Sequence, residues 1–347
     1  MDDDRNALGP LCQCLRGEAF REPRGVAPDW DGILSLANRT LVTPALALSL
    51  ADNNDVPIEV RHFLEEVRAR TAIRNRRMHD QLREAVAALN QAAIEPILLK
   101  GAALLARNGE DCAHRLLTDL DLMVPYEAGP EAVAALAIVG YRRYPSSAGE
   151  WQGVNLFRPQ DPGGIDLHFR LKLAGPGHDH AALSRSCLPY VVGSGVAALP
   201  SPTLLAALFI LHDQLQEHDY WRGLIDLRHL LDIARIAESG GIPDPSALEA
   251  LFPSAQARRA LHTQLRTLSQ WLGVTIGHER RDWRVSMQAR RRNLQLHRPR
   301  LAPILTLLAM LVDPPHSGKH DRPAGQGIAA WARNLRRIVF VTNPAKV

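Results

Sequence analysis

"LLKGAALLARNGEDCAHRLLTDLDLMV", residues 98–124, is the stretch on which the fold turns. An apolar run leads into a glycine and a helix-like segment, and two aspartates one residue apart then interrupt a second apolar run. In T-D-L-D-L-M-V, alternation places Asp119 and Asp121 on one face of a strand and Leu120, Leu122 and Val124 on the other. Two like charges crowded on one face are unfavourable unless something neutralises them, so the pair asks for a cation.

Working outward, the spacing predicts short elements from Pro96 onward. PILLK reads as a strand, AALLARNG as a helix, TDLDLMV as a strand and EAVAALAIVG as a helix. YRRYP, GVNLFRP and IDLHFRLKL follow, the last two joined by the turn-rich Gln160-Asp161-Pro162-Gly163-Gly164. Upstream, residues 29–51 carry helical apolar spacing. Pro57 then opens a long helix with a basic outer face, which reads as a solvated helix packed over the next domain. Downstream, PTLLAALFILHDQLQ, YWRGLIDLRHLLDIARIAES and ARRALHTQLRTLSQWLG all show helical spacing. The predicted architecture is therefore α+β. It has a helical segment over 1–93 packing on the next domain, a small mixed-sheet core over 94–175, an all-α domain over 200–311, and a linker with a last amphipathic helix over 312–347.

The composition, 46% apolar and 22% charged over 347 residues, belongs to a globular protein of about two domains. A formal charge of +4 admits a polyanionic partner, and a nucleotide alone would justify it. Cys12, Cys14, Cys112 and Cys187 are too few for a disulfide framework in a chain this long and read as reduced thiols. The acidic start MDDDRNALG lacks the order of a signal peptide, and LLAALFIL at 204–211 falls short of a membrane span. A cytoplasmic location is the expectation.

A third carboxylate, Asp166, stands in the strand-like G-I-D-L-H-F. If that strand pairs beside T-D-L-D-L, then Asp119, Asp121 and Asp166 share a face and make a site for hard divalent cations such as Mg²⁺. Two ions about 4 Å apart would clamp the attacking and leaving oxygens of a phosphoryl displacement. Upstream, Lys100-Gly101 sits at a strand-to-helix turn, where free amides and the absent side chain favour a phosphate.

With these pieces in order, the sequence resembles the DNA polymerase β-type nucleotidyltransferases, and within them a bacterial family marked by an L-K-G turn and an R-x₃-D-x-D segment. Here those are Leu99-Lys100-Gly101, then Arg115, Asp119 and Asp121; I-D-L-H at 165–168 resembles the third acidic strand. The helical stretch 211–232, with His212, Trp221 and Asp226, is similar too, and the likeness covers roughly residues 10–310. The resemblance implies Mg²⁺-dependent transfer of a nucleoside monophosphate from an NTP, ATP first, to an acceptor hydroxyl with release of pyrophosphate. Two ions are implied, with Mn²⁺ as a substitute. Asp119 and Asp121 would hold both metals, while Asp166 would hold the one that activates the acceptor. Lys100, Gly101 and Arg115 would receive the triphosphate, and His168 lies on the same strand face. Relatives usually carry Gly-Ser or Gly-Gly at the turn, whereas this chain has Gly101-Ala102 and so lacks one hydroxyl donor.

Blander readings stand beside these. A lone D-x-D is often a solubility device on an edge strand; it is the order of the pieces that outweighs this. His212 and Asp226 read as hydrogen-bonded structural residues, and Trp221 as core. The stretch 278–300, with eight arginines against one glutamate and one aspartate, suits either an RNA backbone or a solvated helix. The resemblance leaves a small molecule, a peptide or a protein open as the acceptor, with an RNA 3′ end as the alternative. A nucleotide-binding or interaction protein of low activity is the reading from another class.

Overall fold

The structure, a computed structural model, describes residues 4–18, 28–109, 112–144, 153–171, 179–238, 241, 243–277, 282–315, 338–339 and 343–347. The amphipathic segment 328–337 and arginines 280 and 281 of the basic stretch lie outside them. The chain divides into two compact units, one formed by Leu41–Leu208 and the other by Met1–Thr40 with Phe209–Val347.

In chain order, α1 (Asp4–Leu15) and α2 (Trp30–Arg39) open the second of these units. The first holds α3 (Thr43–Ser49), α4 (Ile58–Gln91), β1 (Ile97–Leu98), α5 (Lys100–Asn108), β2 (Asp119–Met123), α6 (Gly129–Ile138), β3 (Arg142–Arg143), β4 (Gly153–Phe157), β5 (Gly164–His168), α7 (His180–Ser184), β6 (Cys187–Val192) and β7 (Gly195–Pro200). After α8 (Pro202–Leu211) the chain is helical, through α9 (Asp219–Arg222), α10 (Leu227–Glu238), α11 (Pro245–Ala250), α12 (Ala255–Leu272), α13 (Trp283–His297) and α14 (Ala302–Val312). The fold is α+β, with one mixed sheet and a helical C-terminal region, as the sequence predicts.

Among the described residues seven strands form the sheet, in the order β3-β4-β5-β2-β1-β7-β6. At its centre β2 runs parallel to β5 and antiparallel to β1, while β7 extends the sheet parallel to β1. Leu120 and Leu122 of β2 and Ile165 and Leu167 of β5 are buried on one face. The period of two therefore turns Asp119, Asp121, Asp166 and His168 to the other face. The hairpin of β6 and β7 is not anticipated by the strand-poor reading of the region after residue 173.

Long helix α4 does more than cover the sheet. Fully buried Asn75 donates its Nδ2 to the backbone oxygens of Cys112 and, at 2.7 Å, Arg115. Arg74 Nε donates to Leu117 O at 2.8 Å, Arg77 Nη2 to Gln160 O at 2.6 Å and Gln81 Nε2 to Gly163 O at 2.8 Å. One helix thus ties down the loops leading into both β2 and β5. Gly163 is required there, because a Cβ would lie 2.6 Å from Thr118 O and 2.8 Å from Met78 Sδ. Among the described residues no helix is long and apolar enough to cross a membrane.

Candidate active site

The parallel register of β2 and β5 sets Asp121 opposite Asp166 and Met123 opposite His168. One ligand atom each from Asp121, Asp166 and His168 lies within 4.8 Å of the others. On the far side of β5, Asn155 of β4 stands opposite Asp166 on the same face, a neighbour that no sequence motif marks.

Asp121 is the centre of the group and is 5% exposed. Its Oδ1 accepts from Lys100 Nζ at 3.1 Å and lies 3.0 Å from His168 Nε2, which is also 3.5 Å from Asp166 Oδ2. Burial alone would raise the Asp121 pKa, but the Lys100 ammonium and the His168 hydrogen bond outweigh it and hold the carboxyl well below the usual range. Asp166 goes the other way: burial, reinforced by the Asp121 charge, raises its affinity for a proton despite His168 and Lys100. Two carboxylates on adjacent strands are thereby driven apart in basicity, Asp121 downward and Asp166 upward. Burial would lower the Lys100 pKa; Asp121, Asp166 and Asp119 together raise it, so the ammonium stays charged.

The turn that delivers Lys100 is unusual. Leu99 N still donates to Asp121 O at 3.0 Å, so β1 pairs with β2 up to the site. Lys100 then takes a φ of 41°, a left-handed conformation that a non-glycine residue adopts at a cost of about 1–3 kcal/mol. This strain is held by the sheet on one side and α5 on the other. Arg115 is buried and packs against Gly101, where a Cβ would meet its Nη1 at 2.8 Å and Leu117 Cδ2 at 2.9 Å. The glycine therefore admits the Arg115 guanidinium to the turn, and Asn75 fixes the Arg115 backbone from behind.

Of the residues marked in the sequence, Lys100, Asp121, Asp166 and His168 come together, and Gly101 and Arg115 meet at the turn beside them. Asp119 shares the strand face but lies outside the tight group; it is exposed at the start of β2, where its Oδ1 accepts from Thr118 Oγ1 at 3.0 Å. Arg74, Asn75 and Gln81, which position the loops, were not legible. The donor set suits a hard divalent cation: Asp121 and Asp166 offer carboxylate oxygens from adjacent strands, and the Lys100 ammonium on Asp121 shows that this spot accommodates positive charge.

The basic stretch 278–300 turns partly inward. Arg291 donates to Trp221 O and Tyr220 O at 2.8 and 2.7 Å, and Arg292 donates to Thr267 Oγ1 at 2.8 Å and to Gln214 Oε1. Both are buried, so two of the eight arginines hold helices together instead of facing a polyanion.

Comparison with known proteins identifies the class and then the family. The profile of a family described as uncharacterised nucleotidyltransferases matches residues 27–273, most of the chain. The chain belongs to that family; it is a nucleotidyltransferase, an enzyme that takes a nucleotide and an acceptor as substrates. No curated protein matches it. A solution structure of the antibiotic-resistance factor ANT(2'')-Ia is similar at 17% identity, over 56% of this chain and 95% of that one, with a TM-score of 0.37.

Proposed function

We propose that the protein is a polymerase β-type nucleotidyltransferase whose site is the acidic face of β2 and β5. It transfers a nucleoside monophosphate from an NTP, ATP first, to the hydroxyl of a small molecule, peptide or protein. The observation that carries the reading is the register of two parallel strands that sets Asp121 beside Asp166 with Lys100 and His168 around them.

Asp121 and Asp166 would hold Mg²⁺, with Asp119 as a further ligand from the exposed start of β2. Bound there, the metal supplies Lewis-acid polarisation of the phosphoryl oxygens and a template for in-line displacement. The chain's own groups do the rest. Asp166, on the strand beside Asp121, would accept the acceptor hydroxyl's proton. The acceptor oxygen forms its bond to the α-phosphorus as the bond to the bridging oxygen of the β-phosphate breaks, and the electron pair leaves with pyrophosphate. Lys100 and Arg115 offset the charge of the triphosphate at the strained turn, and His168 keeps Asp121 oriented.

The test is transfer of label from each α-labelled NTP to fractions of a cell extract with Mg²⁺ or Mn²⁺. Wild type is expected to label an acceptor fraction that the Asp121→Asn and Asp166→Asn variants leave unlabelled. Equal labelling by wild type and variants would remove the catalytic reading and favour a low-activity binding role. Label appearing in RNA alone would move the acceptor to an RNA 3′ end.

A further inference from the structure

Among the described residues a second group of metal-ligating side chains lies away from the sheet, in the helical unit. His212 and Asp213 open the π-helical turn His212–Gln216 that follows α8. His229 sits in the first turn of α10, and Asp226 caps it, accepting from His229 N at 3.0 Å. Both imidazoles converge on one oxygen: His212 Nδ1 lies 3.1 Å and His229 Nδ1 2.8 Å from Asp213 Oδ1, and His229 Nδ1 is 3.7 Å from Asp226 Oδ2. The ligand atoms of His212, Asp213 and His229 all fall within 4.8 Å of one another.

A second observation points to a missing ligand. Asp213 is 0% exposed, and its other oxygen, Oδ2, has no hydrogen-bond partner among the described residues. Asp219, equally buried, keeps Oδ1 without a partner as well, its Oδ2 being taken by the Lys346 ammonium. That ammonium also lies 3.9 Å from Asp226. Buried Arg292 also lies near Asp213 and Asp219, and its Nε and Gln214 Nε2 lack partners among the described residues too, but neither reaches Asp213 Oδ2, a buried acceptor of the kind native interiors seldom leave unsatisfied. A cation would satisfy it.

The donor types narrow the choice. Two imidazole nitrogens and carboxylate oxygens suit Zn²⁺, whereas Mg²⁺ takes oxygen ligands and keeps waters. Zinc–ligand bonds near 2.0–2.1 Å place tetrahedral donors about 3.3 Å apart. The separations of 3.1 and 2.8 Å from Asp213 Oδ1 to the two imidazole nitrogens lie within about half an ångström of that value. We propose that His212, Asp213 and His229 bind one zinc-class divalent cation that pins the π-helical turn to the start of α10.

The experiment uses the full chain carrying Asp121→Asn and Asp166→Asn, which disables the other acidic group. After chelator treatment it is loaded with Zn²⁺ or Co²⁺, passed through gel filtration and assayed for bound metal, visible absorption and thermal midpoint. One retained equivalent, a Co²⁺ spectrum of four-coordinate type and a midpoint raised by zinc are expected. Adding His212→Gln and His229→Gln should abolish retention. Should the double histidine variant fail to fold, His212→Gln alone, at a partly exposed position, should weaken zinc binding at least tenfold. No retained zinc in the parent, meaning a hydrogen-bonded network only, overturns the proposal, as does an unchanged equivalent or affinity in the histidine variants.

Discussion

Replacing Lys100 by Met removes one half of a pair that burial has made consequential. The Lys100 Nζ to Asp121 Oδ1 distance is 3.1 Å, with side-chain exposures of 16% and 8%. At an effective dielectric near 20, two unit charges at that distance attract by about 5 kcal/mol, and desolvation offsets part of it. Removing one partner of a buried pair typically costs about 3–5 kcal/mol. His168 stays on Asp121, so we expect the low end, about 3 kcal/mol at pH 7 in urea unfolding followed by circular dichroism. The sign with pH follows from Asp121. In wild type its folded pKa lies below the unfolded one, so the stability it contributes is present above the unfolded pKa and is lost only as pH falls through the folded value. Without Lys100 the folded pKa rises, and Asp121 takes up a proton earlier in acid. The difference between variant and wild type is therefore full at pH 7–8 and narrows on acidification. Mn²⁺ supplies the charge the variant lacks, so saturating metal should stabilise the variant more than wild type. A loss below about 1 kcal/mol at pH 7, with the same metal response in both proteins, would refute the reasoning.

Other consequences are equally checkable. Gly101→Ala places a methyl 2.8 Å from Arg115 Nη1 and 2.9 Å from Leu117 Cδ2, and should cost about 1–3 kcal/mol in unfolding while raising the KM for NTP more than it lowers kcat. Asn75→Ala frees the Cys112 and Arg115 carbonyls and should lower stability by about 1–3 kcal/mol, with weaker NTP binding by titration calorimetry; Asn75→Ala with unchanged affinity would make the residue structural only. Because Asp166 holds its proton more tightly than an ordinary carboxyl, divalent-metal affinity should begin to fall on acidification at a higher pH than an ordinary carboxylate site would show, and Asp166→Asn should flatten that dependence while lowering the affinity itself.

What the sequence disclosed depended on how local the signal was. Alternation in T-D-L-D-L and G-I-D-L-H marked β2 and β5 and the shared face of their acids, since period two is written into consecutive residues. The register that sets Asp121, not Asp119, beside Asp166 is a property of two strands, and no single strand reveals it. The work of α4 was hidden for a related reason: Asn75, Arg74 and Gln81 donate to backbone oxygens 37 to 82 residues away, which any side chain sequence could provide. A basic helix face accordingly read as solvated when part of it ties loops. Arg291 and Arg292 misled similarly, because their buried acceptors come from other helices. The β6–β7 hairpin did carry a signal, Gly193-Ser194 between two apolar runs, which the glycine- and proline-rich stretch before it obscured.

The central claim is that Asp121 and Asp166, with Lys100 and Arg115, form a metal-dependent triphosphate site. It is tested most directly by binding a non-hydrolysable NTP with Mg²⁺, since no acceptor is needed. Titration calorimetry should show metal-dependent binding to wild type that weakens at least 100-fold, about 2.7 kcal/mol, in the folded Asp121→Asn/Asp166→Asn variant. Equal affinity in both proteins, or binding indifferent to the metal, would contradict the account.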